Sequence, residues 1–252
     1  MLSPDRSAFF EAARCGATFI PVAHSWPADL ETPLTTWLKV GEGHPPGVLL
    51  ESVEGGENLG RWSVIACDPL WTLSARGDAL TRRWRDGHEE SFQGNPLEVL
   101  RECTNAYKPV SLPGLPPLGQ LYGMWGYELI RWIEPSVPVH QADENAPPDG
   151  VWMLMDSILI IDQVKRLITA VAYGDLSGTR AAAKTADQAW DGAMGRIHAL
   201  ENQMASPLPQ VRPLRWKPAA RPTPETESNR SPEDYQQAVA TAQEQIAAGD
   251  AF

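Results

Sequence analysis

Short β-prone segments separated by turn signals fill the part of the sequence between Val48 and Phe92. Each run is about as long as one strand, and together they predict strands over residues 48–52, 61–66, 71–75, 79–84 and 88–92. The segment Glu54-Gly55-Gly56-Glu57-Asn58 has the composition of a turn, and Asp86-Gly87 is a strong hairpin signal. Short strands with turns at this spacing predict an antiparallel meander.

The rest of the first 200 residues supplies further strands and the helices. Strands are predicted over residues 17–22 and 120–125, and helices over 96–107, 127–134 and 179–200. Two apolar runs at 151–161 and 167–173 are each about one strand long, and a polar turn at 162–166 joins them, so we expect a core hairpin. Trp125, Trp132 and Trp152 are expected in the core, because large aromatic side chains are usually buried.

A proline-rich segment divides the chain near its end. Six prolines lie between Pro207 and Pro224, and such a segment sustains neither a helix nor a central strand, so it predicts an extended linker. The pattern Ser231-Pro232-Glu233-Asp234 then begins a helix that Gly249 is placed to end. An amphipathic helix needs a surface to pack on. It is therefore either the opening of a second domain or a helix that folds back onto the first, and the residues alone leave both open.

Composition and charge exclude several classes of protein. A formal net charge of −11 and a pI near 4.9 match nucleic-acid phosphates poorly, so we expect no nucleic-acid partner. No apolar run approaches the ~18–20 residues that span a bilayer, and the first residues lack a secretory signal, so no membrane association is expected. Cys15, Cys67 and Cys103 are far apart in sequence, which indicates reduced thiols in the cytoplasm rather than a zinc site.

One segment carries candidate ligand-binding residues. We expect a buried apolar strand that ends at Glu51 and Ser52, then a glycine turn, and then a strand that begins with Arg61. An α-amino acid needs a carboxylate for its ammonium group and a cation for its carboxylate, which Glu51 and Arg61 could supply. The alternative is a salt bridge between these two residues across the hairpin. No convincing catalytic constellation or metal-ligating cluster is found in the sequence.

Three motifs together resemble component I of anthranilate synthase. They are LLESVEGGENLGRWSVIACDP at residues 49–69, GQLYGMWGYELIRWIEP at 119–135, and SPEDYQQAVATAQEQIAAGDAF at 231–252. The resemblance runs in order along essentially the whole chain. It implies an α+β fold of packed antiparallel β-sheets with flanking helices.

The resemblance also implies an activity and a binding site. The family converts chorismate and ammonia to anthranilate and pyruvate in tryptophan biosynthesis. It uses Mg²⁺, and a glutamine amidotransferase, component II, supplies the ammonia from glutamine. In feedback-inhibited members L-tryptophan binds near the LLES motif, and the matching positions here are Glu51, Ser52 and Arg61.

The same resemblance predicts a domain organisation. Residues 1–200 match a regulatory, tryptophan-binding domain, 201–230 a proline-rich linker, and 231–252 the start of the chorismate-utilising domain, which is cut short. The catalytic and Mg²⁺-binding residues of the family follow the AGD-x-F signature, so none is assigned in this sequence, and the chain is expected to be an inactive fragment. Two alternatives stay open: the folate-branch relative aminodeoxychorismate synthase component I, and a stand-alone amino-acid-binding module.

Overall fold

The structure is a computed structural model that describes residues 2–41, 46–51, 60–116, 120–137, 146–209 and 228–251. The chain divides into two compact units, residues 1–209 and 210–252. The strands are β1 (Leu2–Ser3), β2 (Phe19–Pro27), β3 (Gly47–Glu51), β4 (Trp62–Cys67), β5 (Trp71–Arg76), β6 (Ala79–Trp84), β7 (Glu89–Gln93), β8 (Leu121–Trp125), β9 (Gly150–Leu154), β10 (Ser157–Asp162) and β11 (Leu167–Asp175). The helices are α1 (Arg6–Arg14), α2 (Pro33–Val40), α3 (Pro96–Thr104), a 3-10 helix (Tyr127–Trp132), α4 (Ala186–Met204) and α5 (Pro232–Ala248).

Two antiparallel sheets form the first unit. Among the described residues, the first sheet has the strand order β1-β2-β11-β10-β4-β3 and the second has the order β7-β6-β5-β9-β8. Every neighbouring pair in both sheets is antiparallel. The predicted run of hairpin strands is confirmed, but it is shared between the sheets: β3 and β4 lie in the first, and β5, β6 and β7 lie in the second.

The main apolar core lies between the two sheets. Trp71 and Trp152 from the second sheet and Phe19 and Tyr173 from the first belong to one buried cluster. The rings of Phe19 and Tyr173 are stacked with their centroids 4.6 Å apart. The indole N–H of Trp71 donates a hydrogen bond of 3.1 Å to the hydroxyl of Tyr107, so this large side chain is buried without leaving its polar atom unsatisfied.

Helices α1, α2 and α4 pack near the outer face of the first sheet. Phe9 of α1 and Trp190 of α4 meet edge to face, with centroids 5.2 Å apart, over a cluster that contains Ile168 and Ala170 of β11. Strands β10 and β11 are therefore covered on both faces, and their sequences are nearly continuous apolar runs rather than alternating ones. The α+β fold of packed antiparallel sheets with flanking helices is confirmed.

The apolar run 151–161 was predicted as a single strand, and this is wrong. Its first part is β9, which pairs with β5 and β8 in the second sheet. Its second part is β10, which forms the predicted hairpin with β11 in the first sheet. The chain passes from one sheet to the other at Met155-Asp156, where the buried Asp156 carboxylate pairs with Arg85 at 2.7 Å. The polar residues Asp156 and Ser157, which interrupt the apolar run, mark the position of the break.

Two helix boundaries follow local capping chemistry. Helix α4 begins at Ala186 rather than at residue 179, because Thr185 is its N-cap and its hydroxyl accepts a hydrogen bond from the N–H of Gln188. Helix α5 agrees with the prediction: the Ser231 hydroxyl caps it, and Gly249 ends it in the left-handed conformation at φ +85°.

Candidate functional site

The candidate site lies at the end of the first sheet where β10 finishes and β4 begins. Asp162 pairs in register with Trp62, which places Arg61 beside the last residue of β10. The Arg61 Nε donates to both carboxylate oxygens of Asp162 at 3.1 and 3.2 Å, and Nη2 donates to Oδ2 at 2.6 Å. This two-armed geometry is the one in which arginine binds a carboxylate group most specifically.

Asp162 is a buried anion that its surroundings stabilise. Only 4% of the residue is exposed, and its Oδ1 also accepts hydrogen bonds from the backbone N–H groups of Val164 and Lys165 at 3.1 and 3.0 Å. Burial by itself would raise the pKa of this carboxyl, but the hydrogen bonds from Arg61 and from the two backbone groups lower it below its usual value. The carboxylate is therefore charged at neutral pH and holds Arg61 in place.

Arg61 has binding capacity beyond this pair. Its guanidinium lies over the ring of Trp62, 4.4 Å from the centroid, in a cation–π arrangement. The side chain is partly exposed, and among the described residues no acceptor is hydrogen-bonded to its Nη1. The hydrogen bond to Asp162 raises the pKa of the guanidinium above its already high value. A permanent cation with a free donor arm at a sheet end can bind a ligand carboxylate.

The strand β3, which carries Glu51, was expected to be buried, and this is wrong: among the described residues it is an edge strand of the first sheet, and none of its residues is buried. Glu51 ends β3 directly opposite Ser63 of β4, and it is exposed. The alternative salt bridge between Glu51 and Arg61 is absent, since Arg61 pairs with Asp162 instead. Ser52 lies outside the described residues.

A small cavity adjoins the ion pair on the face between the sheets. It has a volume of about 220 Å³, and Trp62, Asp162, Lys165 and Leu112 are among the residues that line it. Its volume is below the ~300–1,000 Å³ of pockets for drug-sized molecules, which suits part of a small metabolite. The indole of Trp62 gives the cavity an apolar wall, and Lys165 and Asp162 give it a polar one.

Sequence reasoning did not place Asp162 or Trp62 in this site. Asp162 looks like an ordinary turn residue, because its partner lies 101 residues away and only the strand order β10-β4 brings them together. Within the described ranges, no three His, Cys, Asp or Glu side chains converge to hold a metal ion, so this part of the chain offers no ligand set for Mg²⁺. In the same residues, no helix has the length and apolar character needed to span a membrane.

The chain belongs to the family of chorismate-binding enzymes, whose sequence profile matches residues 48–252. It is similar to two curated relatives named anthranilate synthase component 1. The protein from Synechocystis is 46% identical over 100% of this chain and 50% of its own length, and that from Pseudomonas aeruginosa is 31% identical over 98% and 49%. The chain therefore spans about half the length of these relatives.

A comparison with solved structures finds a similar chain that is also described as anthranilate synthase component I. The crystal structure of anthranilate synthase component I from Streptococcus pneumoniae covers 89% of this chain and 46% of its own, with a TM-score of 0.49 and 21% sequence identity.

Proposed function

We propose that this chain is part of an anthranilate synthase component I, which converts chorismate and ammonia to anthranilate and pyruvate in tryptophan biosynthesis. The observation that carries the proposal is the 46% identity to the Synechocystis protein over all of this chain. In this proposal a glutamine amidotransferase partner supplies the ammonia, Mg²⁺ is bound by residues of the full-length enzyme and by none in these 252, and the reaction takes place in the cytoplasm.

We further propose that the 252 residues alone do not turn chorismate over, since they span only half the length of the relatives. The test incubates chorismate, ammonia and Mg²⁺ with the pure 252-residue chain, and separately with the natural gene product that contains these residues. We expect anthranilate from the gene product and none from the chain.

Two outcomes of this assay would contradict the proposal. Anthranilate formation by the 252-residue chain would show that it holds a complete active site. Aminodeoxychorismate as the product of the natural protein would instead assign it to the folate branch.

The proposed role of the first unit is feedback inhibition through binding of L-tryptophan at the sheet end. The ligand carboxylate would bind the Arg61 guanidinium, and the ammonium group would bind Glu51, with Ser52 as a further polar contact. The free Nη1 of Arg61 and the cavity beside Trp62 support the part of this assignment that concerns the ligand carboxylate.

A ligand carboxylate that accepts from a second arm of the guanidinium as well as from the free Nη1 competes with Asp162 for Arg61. The ion pair is only partly shielded on the arginine side, so a ligand carboxylate can draw the guanidinium away from its partner. The backbone donors of Val164 and Lys165 would continue to satisfy Asp162 while the site is occupied. Tryptophan would then bind the open state of Arg61 better than the state paired with Asp162. Feedback inhibition requires such a difference in ligand affinity between two states of the protein.

Two substitutions separate a binding role of Arg61 from a structural one. We expect Arg61→Ala to abolish calorimetric binding of L-tryptophan. Asp162→Asn should bind L-tryptophan at least as tightly as the unchanged chain, because it removes the competing charge and keeps Oδ1 as an acceptor for the turn. Arg83→Ala is the matched control, since Arg83 is an exposed arginine paired with Glu89 on β6 and β7.

Binding of L-tryptophan by Arg61→Ala would contradict the proposed site. So would loss of binding by Asp162→Asn while its thermal unfolding stays cooperative, because the intact ion pair rather than a free guanidinium would then be what the ligand needs.

A further inference from the structure

A second, larger cavity lies at the opposite end of β10. It has a volume of about 430 Å³ and lies against helix α4, with Trp84, Arg85, Asp156, Asp175 and Arg196 among its lining residues. Asp156 directly precedes β10 and Asp162 ends it, so the six residues of the strand separate this cavity from Arg61 by roughly 20 Å. None of its lining residues belongs to the site described above.

Two of the arginines in this cavity are already neutralised. Arg85 donates from Nη2 to Oδ1 of Asp156 at 2.7 Å and from Nη1 to Oδ2 at 3.1 Å. At the exposed rim, Arg180 donates from Nε to Oδ2 of Asp86 at 3.0 Å. The other charged groups of the lining are Arg196, which shares Asp156 with Arg85 at a longer distance of 3.5 Å, and Asp175.

Arg196 has a buried donor that lacks an acceptor. Its Nη2 donates to the backbone carbonyl of Tyr173 at 2.5 Å. Its Nε is 3.5 Å from the nearest oxygen of Asp156, and this buried atom has no hydrogen bond to any of the described residues. A buried guanidinium N–H without an acceptor is costly, so this atom is expected to find one in a ligand or in solvent.

Asp175 has a buried acceptor that lacks a donor. The residue is 7% exposed, and its Oδ1 accepts a hydrogen bond of 2.8 Å from the N–H of Ser177. Its Oδ2 is buried and receives no hydrogen bond from any described residue. Burial and the nearby Asp156 raise the pKa of this carboxyl, while the hydrogen bonds from Ser177 and the charge of Arg196 oppose the rise.

We propose that this cavity binds a small zwitterion of the α-amino-acid type with an apolar side chain. The ligand ammonium group donates to Oδ2 of Asp175, and the ligand carboxylate accepts from Nε of Arg196. The apolar side chain lies against Trp84 and Leu70, which form part of the cavity wall. A volume of about 430 Å³ is within the ~300–1,000 Å³ range of small-molecule sites. A ligand with both charges satisfies the unpartnered atoms of Asp175 and Arg196 without leaving a net charge buried.

Leucine and its two singly charged analogues test the proposal. L-leucine, isocaproate, which lacks the ammonium group, and isoamylamine, which lacks the carboxylate, are each titrated into the 252-residue chain by calorimetry. Because each analogue lacks one of the two charge-assisted hydrogen bonds, leucine should bind at least about tenfold more tightly than either analogue.

Substitutions then locate the binding. Asp175→Asn keeps the Oδ1 acceptor for Ser177 and removes the charge, so it should weaken leucine binding about tenfold or more and leave isocaproate binding unchanged. Arg61→Ala should leave leucine binding unchanged, which separates this result from the tryptophan site.

Three results would overturn the proposal. Equal binding of isocaproate and leucine would make the cavity a simple anion site. No leucine binding at millimolar concentration would mean that water alone satisfies Arg196 and Asp175. Full leucine affinity in an Asp175→Asn variant that unfolds cooperatively would place the ligand elsewhere.

Discussion

Replacing Trp71 by alanine is expected to lower the free energy of unfolding by about 3–5 kcal/mol, the range measured for truncating a buried tryptophan. Trp71 is fully buried at the start of β5, in the core between the two sheets. Its removal also takes away one of the two hydrogen-bond partners of the buried Tyr107 hydroxyl, which is left with Thr179 Oγ1 at 3.2 Å. The measurement is urea-induced unfolding of the 252-residue chain and of the variant.

An exposed aromatic residue provides the control for this loss. Tyr127 is 91% exposed at the start of the 3-10 helix, so Tyr127→Ala should change the free energy of unfolding by less than about 0.5 kcal/mol. If Trp71→Ala were no more destabilising than Tyr127→Ala, the two sheets would not be packed around Trp71 as described.

Replacing Asp156 by alanine is expected to lower the free energy of unfolding by about 1.5–3 kcal/mol, the contribution of a hydrogen bond to a charged group, because it removes the buried carboxylate that pairs with the partly buried Arg85 and Arg196. Asp156 is 3% exposed at the point where the chain crosses between the sheets. It binds Arg85 through two hydrogen bonds and lies 3.5 Å from Arg196. Thermal unfolding of the variant should therefore begin at a much lower temperature than that of the unchanged chain.

A surface ion pair gives the matched comparison. Asp187 pairs with Arg6 at 2.5 Å, but both side chains are more than half exposed, so Asp187→Ala should cost at most about 1 kcal/mol. A loss at Asp156 as small as that at Asp187 would contradict the view that the crossing between the sheets depends on a buried ion pair.

Local sequence chemistry predicted most of the elements in the fold. Turn signals such as Asp86-Gly87 and the cap at Ser231 act over a few residues, so the strands and helix beside them were confirmed. The apolar runs that become β10 and β11 were also recognised, because a strand that is covered on both faces has a nearly continuous apolar sequence.

Features that depend on contacts distant in sequence could not be predicted in the same way. Trp125 was expected in the core, but it is 44% exposed because β8 is the edge strand of the second sheet among the described residues. The partner of Arg61 was sought across the hairpin at Glu51, whereas strand order brings Asp162 to it. Strand order in a sheet is set by tertiary packing, which hydrophobic patterns along the chain do not record.

The central claim is that the end of the first sheet binds L-tryptophan through Arg61, and a crystal structure of the 252-residue chain grown with L-tryptophan tests it most directly. The account predicts a ligand carboxylate at about 2.7–2.9 Å from the Arg61 guanidinium, with at least one of the hydrogen bonds to Asp162 broken. Tryptophan bound elsewhere on the chain, with the Arg61–Asp162 pair intact, would contradict it.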